Sequence, residues 1–294
     1  MSVEWKDRLN IRIPIQISDR YDIIKILSSS SNKKVVLVKD KTTLMSAIIK
    51  IIKKDRLQNK ELYILNKISE FKGIMAPVDS FDLYNMEILI FPYYEKGDLF
   101  DSSLRNMSED YLRIITKQII DILEHLKYKH IIHLDIKPDN ILLGNDEKIV
   151  LIDFDLSQVI LECGMYANDY VGTFPYIAPE IFSKYFYTHK ADLWSLGMTL
   201  LTCVINKRIF MKDEYIAYCE CEFETDSIIQ LKKSNISKHG QDFILSLLKI
   251  NPLDRPEIEQ CKQHPWILNV INPYDIVDTQ IKPKKRFCGF FRKK

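Results

Sequence analysis

The sequence predicts an α+β protein in two parts, a small strand-rich part followed by a larger helical part. Two observations support this prediction. Short runs rich in β-branched residues, separated by polar turns, fill roughly the first ninety residues. Beyond Gly97, apolar residues recur instead at the spacing of helices that bury one face. The chain has 294 residues, which is enough to bury a sizeable core.

The strand-rich part contains five predicted strands and one predicted helix. The strands cover residues 21–27, 34–38, 45–52, 74–81 and 86–91. The first two are joined by a polar run at 28–32, which indicates a hairpin turn. Lys60–Ile68 has apolar residues at helical spacing and is the predicted helix. Residues 1–20 precede the first strand and are predicted to form a loose arm.

The helical part begins with a long amphipathic segment at residues 110–129. Lys190–Ile205 is apolar almost all round, which predicts a central buried helix. Residues 241–249 and 256–263 are shorter predicted helices. The composition changes sharply at residues 281–294, which are basic and are predicted to form a tail.

The composition limits the class of protein. Hydrophobic residues make up 46% of the chain and charged residues 28%, as in globular proteins. The net charge of +2 is too small to indicate a nucleic-acid partner for the body of the chain. The sequence shows no signal peptide and no apolar run near the length of a membrane span, and Ser2 does not match the myristoylation pattern. We therefore expect an intracellular, cytoplasmic protein.

The 6 cysteines form no C-x-x-C pair and are interpreted as reduced intracellular thiols. Cys219 and Cys221 lie close together, but their spacing is poor for a zinc site. The chain contains only 8 glycines and is rich in isoleucine, lysine and tyrosine. This bias fits an AT-rich genome, such as that of a large DNA virus or a parasite.

Polar side chains suited to phosphoryl transfer are concentrated between residues 133 and 155. The stretch His-Leu-Asp-Ile-Lys-Pro-Asp-Asn covers 133–140, and a second short strand ends in Asp-Phe-Asp at 153–155. Asp135 can position a hydroxyl, while Asn140 and Asp153 can hold magnesium. This spacing resembles the catalytic loop and the metal loop of eukaryotic protein kinases.

The resemblance covers roughly residues 20–270 and implies a two-lobed protein-kinase fold, with a small β-rich N-lobe and a larger α-helical C-lobe. It implies a kinase that transfers the γ-phosphoryl group of ATP to protein hydroxyls with Mg²⁺ or Mn²⁺. The implied domains are an N-terminal arm at 1–20, the N-lobe at 21–91, a hinge at 92–95, the C-lobe at 96–270 and a basic tail at 271–294.

The resemblance also assigns roles in the chemical step. Asp135 would accept or orient the substrate hydroxyl, and Lys137 would neutralise charge on the transferring phosphoryl group. Asn140 and Asp153 would hold magnesium. Thr173 would form hydrogen bonds with Asp135 and Lys137 and help to seat the acceptor. Positioning and electrostatics would carry most of the rate.

Other motifs resemble the serine/threonine branch of the family. These are Lys137 followed by proline, and the run Gly-Thr-Phe-Pro-Tyr-Ile-Ala-Pro-Glu at 172–180. Glu180 is expected to form a buried ion pair with Arg255. Asp192 would brace the backbone of the catalytic loop. We interpret these last three residues as structural.

The phosphate side of the nucleotide site departs from the family. Counted back from Val35, the three glycines of the family's phosphate-covering hairpin correspond to Ser28, Ser30 and Lys33. Glycine serves there because backbone N–H groups approach phosphate closely. The two serines are small enough to keep much of that approach, and Lys33 would supply positive charge.

The strand Ala-Ile-Ile-Lys at 47–50 resembles the family strand that carries the phosphate-binding lysine. Lys50 would contact the α- and β-phosphates, and Glu61 would keep it charged and positioned. The alternative is a solvated lysine at a strand end.

The connector between the lobes begins near Phe91, a bulky residue expected at the back of the adenine pocket. Tyr93 lies in the same connector, whose backbone would bind adenine. Ala47, Val35 and Leu142 would sandwich the base, although the alternative for all of these side chains is plain core.

Two substitutions and the missing glycines keep a second function open. Asp155 stands where the family has glycine; we interpret it as a solvated carboxylate, with a stiffer turn or an extra negative charge near the metals as alternatives. Leu134 replaces the usual arginine. The alternative function is a pseudokinase that binds a nucleotide or a partner. The active enzyme is preferred because the lysine, the glutamate and the three polar groups named above are all present.

Leu134 has a consequence for regulation. The arginine it replaces binds a phosphate on the activation segment in many kinases. A phosphate on Tyr166, Tyr170 or Thr173 would lack that partner, so we expect activity without phosphorylation of the segment. Apolar contacts from Leu134 would order the segment instead. The apolar candidates are Ile160, Leu161 and Met165, and the alternative phosphate partner is Lys148.

Two acids and the tail suggest partners. Asp98 and Asp139 match positions that are acidic in kinases preferring arginine upstream of the acceptor, although two solvated loop acids are the alternative. Residues 282–294 include seven basic residues and three phenylalanines, which suits contact with an anionic membrane. A nuclear-import or nucleic-acid role and a solubilising tail are the alternatives. We expect a monomer that acts on protein substrates.

Overall fold

The computed structural model describes residues 13–54, 60–103, 107–161, 164–166, 171–183, 185–206, 215–216, 218–219 and 225–270. The arm residues 1–12, Tyr170, Cys221 and the tail at 271–294 lie outside the described residues. The predicted α+β architecture is confirmed, with a five-stranded antiparallel sheet in the small lobe and helices in the large lobe.

The elements follow the predicted order. The small lobe contains α1 (Ile15–Arg20), β1 (Tyr21–Ser29), β2 (Lys33–Asp40), β3 (Ser46–Lys53), α2 (Lys60–Ile68), β4 (Asp79–Leu83) and β5 (Met86–Pro92). The large lobe contains α3 (Leu99–Ser103), α4 (Glu109–Tyr128), β6 (Ile131–Ile132), β7 (Ile141–Leu143), β8 (Ile149–Leu151), β9 (Gln158–Val159), β10 (Met165–Tyr166), α5 (Pro179–Phe182), β11 (Phe186–Tyr187), α6 (Lys190–Ile205), α7 (Asp226–Lys233), α8 (Lys238–Leu247) and α9 (Ile258–Gln263).

The sheet of the small lobe has the order β1-β2-β3-β5-β4. One face of the sheet is buried and apolar; it carries Val36 and Val38 of β2, Ile49 and Ile51 of β3, and Ile88 and Ile90 of β5. The register between β2 and β3 sets Val35 opposite Lys50. The sheet therefore delivers the predicted phosphate-binding lysine beside the hairpin formed by β1 and β2.

Residues 15–20, which we predicted to lie in a loose arm, form α1 and pack with the small lobe. Ile17 is only 1% exposed and belongs to the same apolar cluster as Tyr21 and Val36. Arg20 at the end of α1 donates to Asp40 at the end of β2, with 3.0 Å between Nε and Oδ2. The short helix thus covers one end of the sheet.

The strand predicted at 74–81 is wrong over its first half, because β4 begins only at Asp79. Pro77 has no backbone N–H, which disfavours a strand in the interior of a sheet. The preceding residues pair with the large lobe instead: the backbone N–H of Met75 donates to the carbonyl of Leu151 over 2.9 Å. This segment therefore ties the small lobe to β8, directly before the predicted metal loop.

The large lobe is built around α6, and the side chain of Trp194 in that helix is fully buried. Gly197 allows α8 to pack closely against α6, since an added Cβ would lie 2.9 Å from Leu247 Cβ. Ser108 caps the start of α4, since its hydroxyl accepts from the backbone N–H of Tyr111, and the helix buries one apolar stripe as predicted. Within the described ranges, no helix is both long and apolar enough to cross a membrane.

Candidate active site

The loop between β6 and β7 carries the predicted catalytic residues, and α6 holds its backbone in place. The carboxylate of Asp192 accepts from the backbone N–H groups of His133 and Leu134, over 2.8 and 2.9 Å. Burial raises the pKa of Asp192 to about 6, although these two hydrogen bonds act in the opposite direction. The bracing contact that the resemblance implied for Asp192 is thus present in the structure.

His133 connects this loop to the metal loop. Its Nδ1 accepts from the backbone N–H of Asp135, so its Nε2 carries the proton that faces the carbonyl of Ile152 at 3.1 Å. Burial lowers the pKa of His133 to about 4, which keeps the ring neutral near pH 7. The ring of Phe154 packs edge-on against it, with 4.7 Å between the ring centroids.

The structure brings the predicted catalytic residues together around the carboxylate of Asp135. Lys137 Nζ lies 2.8 Å from Asp135 Oδ2 and 2.7 Å from Thr173 Oγ1. Asn140 Nδ2 donates to the carbonyl and to Oδ2 of Asp135, in each case over 2.9 Å. Burial opposes ionisation of Asp135, but hydrogen bonds from Lys137 and Thr173 outweigh it and lower its pKa. An ionised carboxylate at this position can accept or orient a hydroxyl proton.

The oxygen atoms of Asn140 and Asp153 fit the divalent cation implied by the resemblance. Asn140 uses its amide nitrogen within the loop, so its amide oxygen is the atom it can offer to a cation. Asp153 has a left-handed backbone, with φ of 64°, and its side chain is 32% exposed. Carboxylate and amide oxygens are the hard ligands that Mg²⁺ prefers.

Lys50 is buried in β3 and contacts three carboxylates. Its Nζ lies 2.8 Å from Glu61 Oε1, 2.8 Å from Asp153 Oδ1 and 2.6 Å from Asp155 Oδ1. Burial opposes the charge on Lys50, but the three carboxylates outweigh it and raise its pKa. Burial also raises the pKa of Glu61, and the neighbouring carboxylate of Asp155 adds to this effect. The alternative of a solvated strand-end lysine is therefore wrong.

Asp155 is a residue whose role the sequence did not reveal. We interpreted it as a solvated carboxylate, and this is wrong because its side chain is only 24% exposed and binds two lysines. Oδ1 contacts Lys50, and Oδ2 is hydrogen-bonded to Lys33. Burial raises the pKa of Asp155, but contacts with Glu61 and the two lysines outweigh it, so the net pKa is lowered. The sequence signal that could have revealed this contact is that Lys33 and Asp155, which carry opposite charges, both stand where the resemblance implies glycine.

The hairpin between β1 and β2 has a tip closed by its own hydrogen bonds. The backbone N–H of Ser30 donates to the carbonyl of Lys33 over 2.8 Å, and the backbone N–H of Lys33 donates to Ser30 Oγ over 3.0 Å. Ser28 is exposed and pairs with Val35 within the sheet. The ammonium group of Lys33 reaches the metal loop and lies 3.8 Å from Asp153 Oδ1. Of the three positions, the structure therefore brings Lys33 to the candidate active site.

The predicted adenine-pocket residues lie along the edge of the cleft. Val35, Ala47, Phe91 and Leu142 are half-buried, and Tyr93 is 40% exposed. Leu142 forms an isolated backbone bridge with Asp98, which joins β7 to the segment between the connector and α3. These placements suit side chains that would cover a flat base while keeping one side open.

The two predicted substrate-binding acids are close enough to interact. Asp98 Oδ1 accepts from the backbone N–H of Asp101 over 2.9 Å and so begins α3. Burial raises the pKa of Asp98, and the charges of Asp101 and Asp139 raise it further. Asp139 is exposed, whereas Asp98 is half-buried, so the description of both as solvated loop acids fails for Asp98.

Glu180 and Arg255 form the expected buried ion pair. Arg255 Nη1 and Nη2 each lie 2.7 Å from a carboxylate oxygen of Glu180. The same guanidinium donates to three backbone carbonyls, at Lys249, Lys190 and Ile250. All five of its N–H donors are thus used, and the pair links the end of the activation segment to the helices behind it.

A family model described as protein kinase domain matches residues 21–267. The chain belongs to the protein kinase family. Members of this family transfer phosphoryl groups from ATP and use a divalent metal. The chain is therefore a eukaryotic-type protein kinase by sequence, by fold and by the arrangement of its polar residues.

Several curated relatives resemble this kinase over most of its length. It is 28% identical over 261 residues to mitogen-activated protein kinase kinase 1 of Arabidopsis thaliana, which covers 84% of this chain and 73% of the relative. It is 30% identical over 274 residues to serine/threonine-protein kinase cds1 of Schizosaccharomyces pombe, covering 86% of this chain and 59% of the relative. Aurora kinase of Dictyostelium discoideum is 27% identical over 272 residues, covering 90% and 70% of the two chains.

Proposed function

We propose that this protein is an active serine/threonine kinase that transfers the γ-phosphoryl group of ATP to hydroxyl groups of proteins. The observation that carries the proposal is the cluster around Asp135, where Lys137 and Asn140 donate to one carboxylate and Lys137 also donates to Thr173. A pseudokinase has no need to keep this cluster. Relatives that carry the name serine/threonine-protein kinase support the choice of acceptor.

The residues of the site divide the work of the reaction. Asp135 would orient the acceptor hydroxyl and take its proton, while Lys137 would stabilise negative charge on the moving phosphoryl group. Thr173 holds Lys137 in place through its hydroxyl. A divalent cation, when bound by Asn140 and Asp153, would neutralise charge on the phosphates.

The proposal is tested with radiolabelled ATP, Mg²⁺ or Mn²⁺ and a panel of basic proteins. We expect label on serine or threonine of at least one substrate, and no label with the Asp153→Asn variant. Nucleotide binding without any transfer under these conditions would favour the pseudokinase function instead.

We further propose that activity does not require phosphorylation of the activation segment. The described parts of this segment are held without modification. β9 pairs with β6, β10 pairs with β11, and Thr173 binds Lys137. Gly172, with φ of 120°, lies so close to the catalytic loop that an added Cβ would be 2.7 Å from the carbonyl of Leu134. Leu134 itself is 4% exposed, and as an apolar residue it offers no donor to a phosphate.

Phosphatase-treated protein from bacteria is expected to retain most of its turnover, because packing already orders the segment. Mass spectrometry confirms that the segment carries no phosphate, and the transfer assay follows at once. The Lys148→Gln variant serves as the control for the other candidate phosphate partner. Protein that is inactive when bare and recovers only after phosphorylation of the segment would contradict the proposal.

We also propose that substrates with arginine upstream of the acceptor are preferred. Asp98 and Asp139 form an acidic pair at the rim of the cleft, and a charge-assisted hydrogen bond from arginine would favour such peptides. Asp98→Asn keeps the acceptor that begins α3 but removes the charge, and we expect it to reduce the arginine preference by about tenfold.

A peptide array with arginine placed at each upstream position measures this change. Asp101→Asn is the matched control, because it removes one charge from the first turn of the same helix. An unchanged preference in Asp98→Asn, or an equal loss in both variants, would count against the contact.

A further inference from the structure

The nucleotide cleft contains a network of five charged side chains that crosses from the hairpin to the metal loop and to α2. Its members are Lys33, Lys50, Glu61, Asp153 and Asp155. Asp155 occupies the centre: one oxygen binds the lysine of the hairpin, and the other binds the lysine of β3. A carboxylate that bridges two ammonium groups is the arrangement that a phosphate group would also adopt between them.

The number of N–H donors limits what Lys50 can bind. An ammonium group has three N–H donors, and those of Lys50 face three carboxylates, those of Glu61, Asp153 and Asp155. A phosphate oxygen can therefore bind Lys50 only if one carboxylate gives up its place. Lys33 is also ion-paired, since its ammonium group is bound to Asp155 and lies 3.8 Å from Asp153 Oδ1.

The three carboxylates differ in how freely they can leave. Glu61 is 5% exposed on α2, and moving it away from Lys50 would leave a buried polar group without that partner, which is costly. Asp153 is needed in the proposed function, where it would hold the divalent cation together with Asn140. Asp155 lies in a turn outside the named strands and helices, and its side chain is 24% exposed, compared with 5% for Glu61. Displacing Asp155 from Lys50 therefore costs less free energy than displacing Glu61 or Asp153.

We infer that the Asp155 carboxylate is an internal substitute for a nucleotide phosphate, and that binding of ATP displaces it from Lys33 and Lys50. Lys33 then becomes a second phosphate-binding lysine, at a position where the resemblance implies glycine. The charged pair thus replaces backbone N–H groups that the tip of the hairpin uses internally. This inference rests on the proposed function only in that the cleft binds a nucleotide; it does not require catalysis.

The test measures binding of ATP and of adenosine by calorimetry, without metal, to wild type and to the Asp155→Asn variant. Asn keeps the size of the side chain but removes the competing charge. We expect ATP to bind about tenfold more tightly to Asp155→Asn and adenosine to bind equally well to both proteins. Unchanged or weaker ATP binding by Asp155→Asn would overturn the inference, and so would an equal gain for adenosine.

Lys33→Gln completes the test. In wild type we expect it to change ATP affinity by less than about threefold, because the lost contact with phosphate is offset by the lost contact with Asp155 that ATP would otherwise have to break. In the Asp155→Asn background it should remove most of the tenfold gain. An equal effect of Lys33→Gln in both backgrounds would overturn the exchange, because the two residues would then act independently.

The ion pair between Lys54 and Asp82 supplies the matched controls. It joins the same residue types, here within the small lobe, and the Asp82 side chain is 63% exposed. Asp82→Asn changes the net charge as Asp155→Asn does, and Lys54→Gln changes it as Lys33→Gln does. In both controls we expect ATP affinity to stay within about twofold of wild type. Equal gains in Asp82→Asn and Asp155→Asn would show a general charge effect and overturn the inference. Failure of the proposed function is recognised separately, as loss of phosphoryl transfer with the binding differences intact.

Discussion

Asp135→Asn is expected to reduce phosphoryl transfer by about two to four orders of magnitude, with little change in melting temperature. The substituted side chain has the same shape and retains an oxygen that can accept from Lys137 and Asn140. It loses the negative charge that takes the proton of the acceptor hydroxyl. The loss should therefore fall on kcat, while the affinity for ATP stays near that of wild type.

Initial rates with radiolabelled ATP, together with thermal unfolding and nucleotide titration of the same samples, check this result. Asp146→Asn is the matched control, because it removes one exposed carboxylate from the turn between β7 and β8. Asp146 has a φ of 55°, a conformation that asparagine tolerates well. Phosphoryl transfer that persists at the wild-type rate in both Asp135→Asn and Asp153→Asn would contradict the proposed function.

Arg255→Met is expected to lower the free energy of unfolding by about 3–5 kcal/mol, the largest effect on stability that we predict. The methionine fills much of the space of the side chain but leaves the Glu180 carboxylate buried without its partner. Three backbone carbonyls that now accept from Arg255 also lose their donors. Unpaired polar groups of this kind are costly in a buried site.

Urea unfolding followed by tryptophan fluorescence measures the change, since Trp194 lies against the guanidinium, 5.1 Å from its carbon to the ring centroid. Lys127→Met is the control from an exposed ion pair with Glu259 and should cost less than about 1 kcal/mol. Adding Glu180→Gln to Arg255→Met should restore part of the loss, because no buried charge then remains. Similar stabilities for Arg255→Met and Lys127→Met would contradict this account.

The elements and residues that local pattern defines were predictable. The predicted bounds of α2 and α6 agree with the structure, and β5 and α4 differ from prediction by a residue at one or both ends. The bracing of the catalytic loop and the Glu180–Arg255 pair came from family spacing. Such features depend on short stretches of sequence that adopt the same structure or role in different surroundings.

The features that were missed depend on contacts between distant segments or on end effects. α1 is too short to show a helical period, and it is held by burial of Ile17 against the sheet. Residues 74–78 have the composition of a strand, but Met75 in this segment forms a backbone hydrogen bond with Leu151 of β8 instead. α9 begins at Ile258 and not at 256, because Glu257 and Gln260 form a capping box. The contact between Lys33 and Asp155 joins residues 122 positions apart, which no local pattern encodes.

The position of Lys33 also bears on chemical selectivity. A primary amine lies at the roof of the nucleotide cleft, where the resemblance implies glycine in other kinases. An adenosine analogue with an amine-selective electrophile at its phosphate end would find Lys33 here in addition to Lys50 and Lys137, which both match positions that are lysine in the family. A reagent of a length that reaches the hairpin but neither β3 nor the catalytic loop would therefore label this kinase and pass over kinases with glycine at the position of Lys33.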